Sequence, residues 1–215
     1  NYELYKGLFS AHNEHNYFEL AYSLNRQFGE QGIYRGLSLS NFVDNHDVTR
    51  IASQLREPAA LYPLYAVLFA VPGIPSVYYG SEFGLEGVKT HEDWNLRLFF
   101  DLDRLRSHAP QPDLTAWIQK LVGIRENSAA LRTGSYVQRL VASDQFGFSR
   151  HAQGEDVLVL VNNADAAAAV NVAMPGYSGR SFSDLLTPGE AFAADTRGNL
   201  TVLLHPKSAR IMRAD

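Results

Sequence analysis

NFVDNHDVTR, residues 41–50, is the stretch whose reading decides the fold. The run from Leu37 to Val43 has extended, largely apolar character, and it ends in Asp44, Asn45, His46 and Asp47. An apolar run that opens into a polar cluster is the pattern of a buried strand delivering a loop to a site. His46 and Asp47 set an imidazole beside a carboxylate, two side chains that bind and ionise. Taken alone, the same residue types are also ordinary turn and cap residues.

About thirty residues later comes GIPSVYYGSEFGLEG, Gly73 to Gly87. Between the two stretches, Leu61, Leu64, Tyr65, Leu68 and Phe69 recur at helical spacing. That helix is expected to start at Pro58 or Pro63 and to stop at Pro72 and Gly73. Gly36 to Val43 and Ser76 to Tyr79 are the expected strands on either side. Strand, helix, strand in one sheet predicts a parallel unit.

FVDNHD, a helix and then GIPSVYYGSE, in that order and spacing, resembles the closing part of the barrel of the alpha-amylase family, family 13 of the glycoside hydrolases. The resemblance implies that the first segment is strand seven with its loop and the second is strand eight. It implies an α/β part followed by an all-β part. Residues 1–130 would be the end of a (β/α)8 TIM barrel, and residues 131–215 an antiparallel β-sandwich. Asp47 and Glu82 would then lie toward one end of the barrel, because its strand-to-helix loops emerge on one face.

The remaining chain is read around these motifs. Asn1 to Asn13 is polar and aromatic and is expected to be a loop. His12 and His15 lack the His-Glu-x-x-His pattern and an evident third ligand, so they read as solvated loop histidines rather than a metal site. Asn16 is placed to cap a helix reaching about Phe28, with Tyr17, Leu20, Ala21, Leu24 and Phe28 on one face. Gly84 to Pro112 is long enough to be functional or to hold a short helix. Within it Trp94 and, just before it, Phe83 have the chemistry to stack on a sugar face or to pack against the rim. Asp113 is expected to cap a last helix carrying Leu114, Trp117, Ile118, Leu121 and Ile124.

Composition shifts near Ser128 to Ser135. Beyond it, short runs such as Phe146 to His151, Val157 to Asn162 and Leu200 to His205 alternate with Gln153-Gly154, Pro175-Gly176, Pro188-Gly189 and Gly198-Asn199 turn signals. This is the pattern of a small antiparallel sandwich.

The 215 residues suffice for one large domain or two modest ones, and the net charge of −4 gives no reason to expect a nucleic-acid or anionic-membrane partner. There is no cysteine, which excludes disulfides and thiolate metal sites. No apolar run approaches the roughly 18 residues of a membrane span. The chain opens NYELYKGL, without a start Met or a signal peptide, and is expected to be a fragment whose partner is the N-terminal part of its own barrel. Cytoplasmic and secreted locations are both compatible with it.

Retaining cleavage of an α-glycosidic bond needs two carboxyl groups about 5 Å apart. By resemblance the nucleophile and the acid follow strands four and five, which these residues do not include. Asp47 matches the family's third carboxylate, which stabilises the transition state, and His46 matches the residue that hydrogen-bonds sugar hydroxyls. No cofactor is evident, and the resemblance allows calcium in the full-length parent. Ser81 departs from the Gly-Asp-Glu usual after strand eight, so a direct role for that position is in doubt. Glu82 reads as a rim residue, and Arg50 as half of a structural salt bridge with a neighbouring carboxylate. The expected activity is that of an alpha-amylase-type glycoside hydrolase on starch-like glucans or maltooligosaccharides, the isolated fragment being inactive. Its rivals are a family 13 transglycosylase or isomerase, and a non-catalytic amylase-like protein that binds sugar or a partner.

Overall fold

The computed structural model describes residues 1–215. The chain opens with a helix, α1 (Tyr2–Asn13), where a loop was expected. Asn1 is its cap, the side-chain oxygen accepting from the Leu4 amide at 3.1 Å. Leu4, Leu8 and Ala11 recur on its buried face, a period obscured in the sequence by the aromatic residues between them. The second helix, α2 (Tyr17–Phe28), follows the expectation, with Asn16 capping the Phe18 amide and Gly29 ending it.

β1 (Ser40–Phe42) and β2 (Ile74–Ser76) are parallel neighbours, Ser40 opposite Ile74 and Phe42 opposite Ser76. Both strands are shorter than expected, and the second lies earlier, so that Val77 to Tyr79 is outside the ladder. Close approach of the two segments explains Gly73. At its φ of 113° a Cβ would stand 2.6 Å from the Leu39 carbonyl oxygen. Between the strands run a one-turn helix, α3 (Ile51–Gln54), a 3-10 turn at Pro58–Ala60 and α4 (Leu61–Ala70). Nine of the ten residues of α4 are buried, so it is a central helix rather than an amphipathic one.

The long segment after β2 holds a 3-10 turn at Ser81–Phe83 and the short α5 (Leu102–Ser107), followed by α6 (Leu114–Glu126) and α7 (Ala129–Thr133). Asp113 precedes α6 but makes no side-chain cap bond. Two buried arginines hold the C-terminal end of α4. Arg125 donates to the Phe69 carbonyl at 2.7 Å, and Arg150 to that of Ala70. Burial pushes both guanidinium groups down, Arg125 to about 10 and Arg150 to about 9. The negative end of the helix dipole is what these cations meet there.

Eight strands make up the rest: β3 (Ser135–Val141), β4 (Gln145–Ala152), β5 (Glu155–Asn162), β6 (Ala168–Ala173), β7 (Ser181–Asp184), β8 (Ala191–Ala193), β9 (Asn199–Leu204) and β10 (Ser208–Ala214). They form an antiparallel six-stranded sheet, β3-β4-β5-β10-β7-β8, and a two-stranded one, β6-β9. The three-residue β8 was not anticipated. β5 explains the layering. Val157, Val159 and Val161 join the helices in one core, while Leu158 and Leu160 join Val170, Val172, Leu200 and Val202 in the other. A strand apolar on both faces is covered on both faces, here by helices and by the second sheet.

His12 is buried rather than solvated. Its Nδ1–H donates to the Leu8 carbonyl at 2.7 Å, which leaves Nε2 to accept from the Tyr17 hydroxyl at 3.0 Å. Burial lowers the imidazole to about 4, with Lys207 and His15 adding to the effect. Between that value and the ordinary 6.5, the unfolded chain binds a proton that the folded chain refuses, so stability falls as pH drops through this window. From pH 7 to 4.5 the native chain should lose about 2 to 3 kcal/mol more than a His12→Gln variant, read from urea unfolding at the two pH values. Equal losses would contradict this. His15 is exposed and pairs with Asp144.

Candidate functional site

β1 and β2 point the same way, so the segments following them open at one end of the pair. After Phe42 the chain buries Val43 and Asp44 and then emerges. Asp44 Oδ2 accepts from the Ile51 amide and from Ser81 Oγ, both at 2.8 Å. The first bond closes residues 44–51 into a loop at the start of α3; the second ties that loop to the segment after β2. Burial raises the Asp44 carboxyl, while the Ile51 and Ser81 bonds and the Arg50 charge oppose the rise. Asn45 Oδ1 accepts from the Asp47 amide at 2.8 Å, an Asx turn that carries His46 and Asp47 outward.

His46 and Asp47 are about half exposed, with Nε2 to Oδ2 at 3.2 Å. The other carboxylate oxygen of Asp47 lies 3.6 Å from an Arg97 guanidinium nitrogen. Arg97 also meets Asp93 at 3.2 Å, and Asp93 is paired with Lys89. The Lys89 ammonium, with Arg97 and His46 adding, holds Asp93 below the usual carboxylate range. The site is therefore a string of alternating charge, Lys89, Asp93, Arg97 and Asp47, with the His46 imidazole at its end. The imidazole is 6.5 Å, ring to ring, from Tyr78.

His46 and Asp47 thus come together as expected, and Glu82 lies on the segment at the same end. Glu82 does not join them. One of its carboxylate oxygens is buried without a partner, and its backbone carbonyl accepts from Thr115. Arg50 does not form the expected salt bridge; it is buried and donates to the Tyr79 and Leu96 carbonyls. Phe83 is buried and turns to a cavity shared with Val77 and Ile118 rather than to His46 and Asp47, whereas Trp94 is exposed and its indole N–H meets Glu92. Lys89, Asp93 and Arg97 escaped the sequence reading. Their spacing of four residues was a usable signal, but it suggests a helix face, and this segment is irregular.

The largest cavity, about 770 Å³, contains neither His46 nor Asp47. It lies on the helix side of β2, lined by Pro75, Val77, Phe83, Leu102 and Ile118 among others. Tyr79, Glu82, Arg106 and Gln119 also line it. The open, charged end of the strand pair, which holds His46 and Asp47 together, is the candidate for chemistry. No three His, Cys, Asp or Glu side chains converge to hold a metal ion, and no helix is long and apolar enough to cross a membrane.

Solved structures show the same fold. An Anoxybacillus alpha-amylase superposes with a TM-score of 0.84 at 23% identity, over 100% of this chain and 46% of that one. The model of the alpha amylase catalytic domain matches residues 12–134, more than half of the chain, and the chain belongs to that family. It is 32% identical over 126 residues to a cyclomaltodextrin glucanotransferase of Geobacillus stearothermophilus, covering 59% of this chain and 17% of that protein. It is also 32% identical over 144 residues to a cyclomaltodextrinase of a Bacillus species, covering 65% of this chain and 24% of that protein. The chain thus spans a quarter or less of these relatives' length.

Proposed function

We propose that residues 1–130 are the closing part of an alpha-amylase-family TIM barrel, strands seven and eight with their helices, and that residues 131–215 are the β-sandwich that follows it. The activity is cleavage of α-glucosidic bonds in starch-like glucans or maltooligosaccharides, with retention. Asp47 is the carboxylate that opposes the positive charge developing on the sugar ring, and His46 hydrogen-bonds a sugar hydroxyl beside it. The observation that carries this reading is the exposure of Asp47 at the open end of the parallel pair, fixed by the Asx turn and paired with His46 and Arg97.

The nucleophile and the acid come from sequence outside these residues. Asp44 is buried and bonded twice, and Asp93 is held between Lys89 and Arg97, so neither is free to attack or to donate a proton. The missing N-terminal part of the barrel is accordingly this chain's partner.

Proton NMR of the product tests the chemistry. A polypeptide with the whole barrel should release the α-anomer first from a maltooligosaccharide, and initial release of the β-anomer would overturn retention. Transglycosylation is the second reading, favoured by the similarity to the glucanotransferase. Chromatography of the same digest distinguishes the two: linear products signify water as acceptor, and cyclic or lengthened products a sugar. A barrel-complete protein that binds maltotriose without cleaving it would leave only the non-catalytic alternative.

A further inference from the structure

Arg50 is wholly buried and forms no ion pair with a carboxylate. Burying an unpaired charge is unfavourable unless its donors are used; here Nε has no partner, while both terminal nitrogens bond across two segments. One terminal nitrogen donates to the Tyr79 carbonyl at 2.9 Å and to Ser81 Oγ at 3.3 Å. The other donates to the Leu96 carbonyl at 2.8 Å. The Arg50 amide itself donates to the Gly87 carbonyl at 2.8 Å. The guanidinium carbon sits 4.7 Å from the Tyr78 ring centre and 5.3 Å from that of Tyr79.

Each of these anchors lies next to something in the site. Arg50 is three residues beyond Asp47. Leu96 adjoins Arg97, which reaches Asp47, and Tyr78 faces His46. Gly87 must lack a side chain, because a Cβ there would run into the Asn95 carbonyl and stand 3.2 Å from Arg50 Cδ. We propose that Arg50 is a positioning residue: its guanidinium clamps the segment after β2 against the Asp47 loop and so sets Arg97 and the Tyr78 ring against Asp47 and His46. Ser81, which donates to Asp44 as it accepts from Arg50, completes the clamp. The inference rests on the proposed role of Asp47.

A lysine can reach the Tyr79 or the Leu96 carbonyl but lacks the fork that holds both. Arg50→Lys, made in a polypeptide with the whole barrel and assayed on maltotriose at 25 °C, should lower kcat by about tenfold to a hundredfold, the scale of an ångström-sized misplacement. Circular dichroism should show it folded at that temperature. Gly87→Ala keeps the charge and displaces the clamped segment; it should lower kcat in the same direction, and it decides the question if Arg50→Lys does not fold. A folded Arg50→Lys variant with a lowered melting temperature and native kcat would mean that Arg50 is merely structural, and would overturn the proposal. Asp47→Asn is measured alongside. If it retains native turnover, the proposed function falls and this inference with it; if it does not, the clamp stands or falls on its own variants.

Discussion

In a polypeptide that carries the whole barrel, Asp47→Asn is expected to lower turnover on maltotriose by about a hundredfold to a thousandfold, the usual effect of removing one preorganised electrostatic group. Asn has the shape of Asp and lacks its charge. The substrate is neutral, and positive charge appears on the ring only as the bond breaks. The loss should therefore fall on kcat, with KM changed little. Stability should barely move. The contacts of Asp47 to His46 and Arg97 are half-exposed pairs at 3.2 Å and 3.6 Å, and such pairs contribute about 0–1 kcal/mol each. A thermal melt beside steady-state kinetics separates the two effects. Near-native turnover in the folded variant would reduce Asp47 to a turn residue.

The residues that would carry this effect were legible because the chain announces them twice. FVDNHD and GIPSVYYGSE each put apolar residues before polar ones, and the parallel pairing of Ser40–Phe42 with Ile74–Ser76 follows from the helix between them. The strands of the second half were legible for a similar reason, since alternation on Leu200, Val202 and Leu204 survives in the burial pattern. What escaped was whatever depends on partners distant in sequence. The helix over Asn1 to Asn13 is hidden in the sequence because Tyr2, Tyr5 and Phe9 obscure the Leu4, Leu8, Ala11 face. Its own cap, Asn1, was the overlooked signal. Tyr5 stacks on Phe42 of β1, a contact that no local pattern encodes. The charge of Arg50 suggests an ion pair, whereas its guanidinium donates to carbonyls and a hydroxyl. Five donors on one rigid plane serve carbonyls as well as carboxylates, and a sequence does not say which will be in reach. Lys89, Asp93 and Arg97 were hidden by the irregular segment that holds them.

The 215-residue chain by itself is expected to release no reducing sugar from soluble starch or maltotriose. The requirement is chemical first. A retaining mechanism needs a nucleophile and a proton donor about 5 Å apart across the scissile bond, and a stabilising carboxylate cannot serve as either while it serves as the third. Around Asp47 the other carboxylates are committed elsewhere. Asp44 is buried, with Ile51 and Ser81 on one oxygen. Asp93 lies between two cations. Glu82 lines the separate cavity that contains neither His46 nor Asp47. The second requirement is structural. β1 and β2 form a sheet of only two strands, and Ile74 of β2 is 59% exposed. Unpaired apolar strands of this kind seek partners, so the purified chain should also be prone to association. The assay compares native chain, Asp47→Asn chain and buffer, after removal of host amylases. All three should coincide. Turnover by the native chain that vanishes in the Asp47→Asn chain would show that the nucleophile and the acid already lie within these residues, and that the carboxylates have been assigned to the wrong roles.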